Sequence, residues 1–146
     1  MSKPWPKPGM REANKLTLWV EGIPKPQGSK SIGPNGHMYE ANRGWKAWRE
    51  TLVAELTREG KYLPDGPVLV SLTFYFPKPQ KPKFGAVLQA VTPDVDKCSR
   101  TVLDALESSG VVPNDSRVSA LSATKRYSDE GPGVMIQASP LAEHVD

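Results

Sequence analysis

The stretch that most constrains the fold runs from Thr92 to Asp115, TPDVDKCSRTVLDALESSGVVPND. Val95, Cys98, Val102 and Leu106 recur at helical spacing, so a helix near residues 95–109 carries one apolar stripe that other structure must cover. Gly110 marks its C-terminal stop, and residues 111–115 read as a turn. Asp94 and Asp96 stand at the start of this helix and Asp115 follows the turn.

Inside one helix, residues two apart point about 200° from each other, so Asp94 and Asp96 could not share an ion there. Pro93 disfavours helix at Thr92, and Asp is a preferred N-cap residue. Asp94 is therefore expected just outside the helix, with Asp96 on its first turn. Arg100 falls on the same face as Asp96, where it can offset charge on a phosphate or pair with Asp96. Carboxylates that converge repel one another unless protonated or holding a cation, so Asp94, Asp96 and Asp115 together nominate a metal site. All-oxygen ligands select a hard ion, Mg²⁺ with Mn²⁺ as its substitute; His37 and His144 are remote, unpaired and read as solvated, which disfavours zinc. The bland reading is that an aspartate near a helix N-terminus is ordinary capping chemistry, and a lone D-x-D pair is a weak signal. An EF-hand loop is excluded, because residues 94–99 lack the further oxygen ligands and the central glycine. A haloacid-dehalogenase-type phosphatase is disfavoured by Cys98, which stands where that motif carries threonine.

The structure that covers the helix is legible elsewhere. Leu16–Ile23 alternates as a strand, with Leu16, Leu18 and Val20 on one face and Thr17, Trp19 and Glu21 on the other. Val68–Phe76, VLVSLTFYF, is rich in β-branched and aromatic residues and is expected centrally in the sheet. Arg117–Tyr127 and Val134–Ala138 read as two further strands. A second helix, near 42–59, presents Trp45, Trp48, Leu52, Val53 and Leu56 as a core face, with Gly60 as its stop. Residues 24–39 form a loop on proline and glycine grounds. The expected architecture is α/β (α+β): a small mixed sheet of about four strands with two main helices packed against it. The 146 residues fit one domain over 16–138, after a flexible, basic, proline-rich tail at 1–15 and before a C-terminal tail at 139–146.

The net charge of +3 is too small to establish an anionic partner, so the placement of the bases matters more than their total. Lys25 and Lys30 lie in the 24–39 loop. Lys78, Lys81 and Lys83 alternate with prolines in a stretch that reads as a basic flap leading to Asp94. Lys97 sits beside the acids, and Lys125 and Arg126 lie on the strand after Asp115. These are the candidate contacts for phosphates or another polyanion. Cys98 is the only cysteine, which excludes an intramolecular disulfide and a thiolate cluster. The first fifteen residues lack the apolar core of a signal peptide and no run approaches a membrane span, so a cytoplasmic protein without a membrane partner is expected.

The wider pattern is more specific than the aspartate pair. Asp94-Val-Asp96-Lys, the run Arg100–Leu106, and GVVPNDSRV from Gly110 to Val118 resemble the RusA family of Holliday junction resolvases of bacteria and their phages. The opening GIPKPQGSK, Gly22 to Lys30, is similar too, so the resemblance spans Leu16 to Ala138. It implies a homodimeric, Mg²⁺-dependent endonuclease that binds four-way DNA junctions and makes paired nicks in opposing strands, with Asp94, Asp96 and Asp115 as metal ligands. Arg100 stands where family members can carry a functional lysine; guanidinium keeps the charge but does not readily release a proton. Asn114 stands where an acid often precedes the third ligand. Two alternatives remain: a metal-dependent nuclease for flaps, forks or other branched DNA, and a non-catalytic DNA-binding module whose aspartates only cap and pair.

Overall fold

The computed structural model describes residues 4–27, 30–32, 38–40 and 44–142. In chain order it contains β1 (Arg11–Glu12), β2 (Leu16–Glu21), β3 (Lys30–Ile32), β4 (Met38–Glu40), α1 (Trp45–Glu59), β5 (Lys61–Tyr62), β6 (Val68–Pro77), α2 (Val95–Ser109), β7 (Val118–Ser128) and β8 (Gly133–Pro140). A 3₁₀ turn, Asp115–Arg117, precedes β7. The main sheet has the order β2-β8-β6-β7, antiparallel except between β6 and β7. This mixed four-stranded sheet with two helices is the α+β architecture expected.

Strand periodicity separates the two faces of the sheet. Along β6, Val68, Val70, Leu72, Phe74 and Phe76 are buried while their neighbours are partly exposed. A strand with neighbours on both edges packs its large β-branched and aromatic side chains well, which places β6 between β8 and β7. Leu16 and Val20 of β2 and Val134, Ile136 and Ala138 of β8 join the same core. Both helices close that face. Trp48, Leu52 and Leu56 of α1 and Cys98, Val102, Ala105 and Leu106 of α2 are buried against it, and Trp45 is only half-buried. α1 lies beside β2 and α2 beside β7, with the helices touching each other. Gly60 and Gly110 end the helices in the left-handed conformation that glycine adopts without a Cβ clash.

Two expectations change. The tail expected to be flexible is docked over the part described. The Trp5 indole Nε1 donates to Gly110 O at 2.9 Å, Lys7 Nζ donates to Ser108 O at 2.6 Å, and β1 pairs in parallel with β5. A helix C-terminus leaves carbonyls without intrahelical donors and attracts cations, so an indole N–H and an ammonium bind the end of α2 although their neighbours are prolines. The 24–39 loop contains the antiparallel pair β3 and β4, with Ile32 opposite Met38. Its glycines and proline obscured that short pairing in the sequence. His37 and His144 lie outside the described residues. No described helix is long and apolar enough to cross a membrane.

Candidate active site

Asp94 occupies the N-cap position of α2, extended at φ −70° and ψ 139°, and its carboxylate caps no backbone N–H. The bland capping explanation therefore fails at this residue. Its oxygen lies instead 3.5 Å from Lys97 Nζ, a half-exposed pair between the N-cap and the first turn. The segment before it is anchored by Lys125 of β7, whose Nζ donates to Val91 O at 2.6 Å and Pro93 O at 2.7 Å. The loop after β2 is pinned to the same helix: Thr101 Oγ1 donates to Lys25 O at 3.1 Å, and Gln27 N–H donates to Lys97 O at 3.1 Å.

A cavity of about 470 Å³ runs beside α2. Asp96, Ser99, Arg100, Leu103 and Asp104 face it from the helix, Gln27 from the loop, Asp115 from the 3₁₀ turn and Leu121 from β7. Asp96, Arg100 and Asp104 share the face because four residues make about one turn. No ion pair joins Asp96 to Arg100 among the described residues. Asp104 is engaged by Arg49 of α1, whose Nε donates to its carboxylate and whose second nitrogen donates to Ser108 Oγ at 2.6 Å. Asp115 N–H donates to Glu107 Oε1 at 2.8 Å, which docks its turn on the C-terminal half of α2. Asn114 has a structural task there: its Oδ1 accepts from Ser116 N at 2.8 Å and caps the turn that carries Asp115. Arg117 fastens the same turn through Asp65 Oδ1 at 2.6 Å, and that hydrogen bond holds the Asp65 carboxyl below its ordinary range.

Asp96 and Asp115 thus face one cavity, and Asp94 stands at the N-cap of the same helix. Asp94 does not line the cavity, and no three acidic, histidine or cysteine side chains among the described residues are arranged to hold one ion. The donor chemistry still suits Mg²⁺, which keeps several waters and commonly takes one or two protein carboxylates plus substrate phosphate. Asp96 and Asp115, exposed on a shared cavity, fit that pattern. Cys98 lies behind them in the core, its thiol pushed up to about 12 by burial, with Asp94 and Asp96 adding to the rise and Lys125 opposing it.

Of the candidate DNA contacts, the two on β7 face opposite ways. Lys125 points to the helix side of β7 and Arg126 to the opposite face, beside Trp19 and Tyr75, because successive strand residues alternate. Lys78 Nζ lies 3.9 Å from Asp129 Oδ1, Lys81 is exposed, and Lys83 Nζ lies 5.2 Å from the centre of the Phe84 ring. The Lys25 backbone is held by Thr101, and the Lys30 side chain lies outside the described residues. The stretch read as a basic flap is fixed at its far end, where Gln89 N–H donates to Lys125 O at 3.1 Å and Tyr127 N–H donates to Val87 O at 2.9 Å, extending the sheet edge. Sequence reasoning missed Gln27, Asp104 and Leu121 in the cavity. Asp104 was recoverable, two turns beyond Asp96; Gln27 and Leu121 arrive only through tertiary packing.

No curated protein matches the chain. A family model described as Endodeoxyribonuclease RusA matches residues 21–138, which include β2's last residue, the pinned loop, both helices and the turn of Asp115. With Asp94, Asp96 and Asp115 all inside the matched segment, the chain belongs to the RusA family of endodeoxyribonucleases.

Proposed function

We propose that the chain resolves four-way DNA junctions as a homodimer, by paired nicks in opposing strands, using Mg²⁺. The observation that carries this reading is the shared cavity of Asp96, Arg100 and Asp115 in a RusA-family chain. Asp96 and Asp115 would hold the ion, and Asp94, at the N-cap of the same helix, would add a third carboxylate nearby; a bound Mg²⁺ would lower the pKa of a water and offset phosphate charge.

The chain's own groups supply the rest. A guanidinium presents a planar fork of N–H donors that matches phosphate, so Arg100 would bind phosphate oxygens in place of the proton transfer a lysine can perform. The N-terminal turn of α2 presents backbone N–H groups and the positive end of the helix dipole to the same region. Because Asp94 caps none of those N–H groups, they are available to a phosphate. Arg49 neutralises Asp104, which lowers the negative charge that a DNA strand meets in the cavity. Candidate contacts beyond the cavity are Lys81, Lys83 and Lys97. A homodimer would bring the two sites that paired nicks require.

The experiment is cleavage of a synthetic four-way junction, beside flap, fork and linear duplex, with and without Mg²⁺. Wild type is expected to nick the junction symmetrically only with the ion, and Asp96→Asn to bind the junction without cutting it. Full nicking by Asp96→Asn would defeat the site assignment. Preferential cutting of flaps or forks would favour the branched-DNA nuclease, and no cutting with either Mg²⁺ or Mn²⁺ the binding module.

A further inference from the structure

A second cavity, of about 510 Å³, opens on the face of the sheet opposite α1 and α2. Its wall is aromatic. Trp19 and Tyr75 meet edge to face, with ring centroids 5.6 Å apart and planes at 65°. Met135, directly across from Trp19 in the β2–β8 register, adds a thioether. The indole can lie over the sheet because position 133 is glycine: a Cβ there would stand 2.4 Å from Trp19 Cζ2. Even so, Trp19 remains 40% exposed, so an outside group can reach it.

The rim is acidic and ordered. Glu21 comes from the end of β2, and Asp129 and Glu130 come from the β7–β8 turn. Ser128 Oγ shapes that turn by accepting from Gly131 N–H at 2.8 Å and Glu130 N–H at 3.1 Å. Three carboxylates against the single guanidinium of Arg126 give the lining a net charge of −2, on a chain whose net charge is +3. The local sign is therefore opposite to that of the whole molecule. Such a rim repels phosphate, whereas an aromatic wall with carboxylates above it suits an ammonium or guanidinium. Lys78 Nζ, 3.9 Å from Asp129 Oδ1, shows an ammonium beside one rim carboxylate.

We propose that this cavity is a docking site for an extended, lysine-bearing segment of a partner protein, with one ammonium held between the Trp19–Tyr75 wall and the carboxylates of Glu21 and Glu130. It lies across the sheet from the α2 cavity and does not depend on the nuclease reading.

The probe is a short peptide of alternating lysine and proline, with its Nε-acetylated form as control. Binding is measured by calorimetry and by the indole N–H resonance of Trp19, assigned with Trp19→Phe. The lysine peptide is expected to move that resonance and the acetylated peptide to leave it in place. Glu21→Gln with Glu130→Gln should weaken binding by about tenfold or more, since it removes two of the charges facing the cation. Both positions are exposed, so this variant keeps the fold, and its junction cleavage should match wild type. Three outcomes overturn the proposal: no shift at Trp19, equal binding of the acetylated peptide, or displacement of the peptide by an oligothymidine. Loss of peptide binding as the protein self-associates through this face would reassign the site to a second copy of the chain and overturn it too.

Discussion

Lys125 was a candidate DNA contact, but its ammonium is already engaged by two carbonyls. Replacing it with methionine keeps the aliphatic stem and removes both bonds, at 2.6 Å to Val91 O and 2.7 Å to Pro93 O. A hydrogen bond with a charged partner contributes about 1.5–3 kcal/mol when shielded. Here Val91 is exposed and Pro93 half-buried, so water can replace the donor and each bond falls near or below the low end. The expected loss is about 2 kcal/mol in total. For a chain of this size that lowers Tm by roughly 6–8 °C. Thermal unfolding of Lys125→Met measures it directly. Because Lys125 fixes the segment that delivers Asp94, the variant should also cut junctions more slowly while binding them as wild type does. Unchanged Tm together with weaker junction binding and a shallower salt dependence would refute this account and restore Lys125 as a phosphate contact.

Other residues give sharper single readouts. Gly133→Ala should cost about 2 kcal/mol or more in chemical denaturation, since its Cβ would meet both the Trp19 ring and Val20 O at 2.6 Å. Cys98 should resist iodoacetamide in the native state near about pH 8, because a buried thiol with a raised pKa offers almost no thiolate; rapid native labelling would contradict that burial. Asp65 is more acidic folded than its ordinary value of 3.8, so its contribution to stability is present above that pH and is lost as the pH falls through its lower folded value. Asp65→Asn should therefore flatten the acid limb of the stability profile, and an unchanged limb would show that the Arg117 contact has no energetic effect.

What the residues alone determined was the two main helices, the four strands of the main sheet and most of their inward faces. Apolar spacing at Val95, Cys98, Val102 and Leu106 marked α2, the Val68–Phe76 run marked the central strand, and Gly60 and Gly110 marked the helix ends, because these signals are local. The placement of Asp94 just before α2 and of Asp96 on its first turn followed from proline and capping preferences in the same way. Tertiary structure alone decided where Asp115 docks, which carboxylate Arg49 neutralises, and that Gln27 and Leu121 enter the cavity, since those contacts join residues far apart in the chain. It also placed the proline-rich segment around Trp5 against the end of α2, because unsatisfied carbonyls at a helix terminus are invisible in the composition of the segment that meets them. Strand alternation then sent Lys125 and Arg126, adjacent in sequence, to opposite faces of one sheet, so a single basic stretch serves two different surfaces.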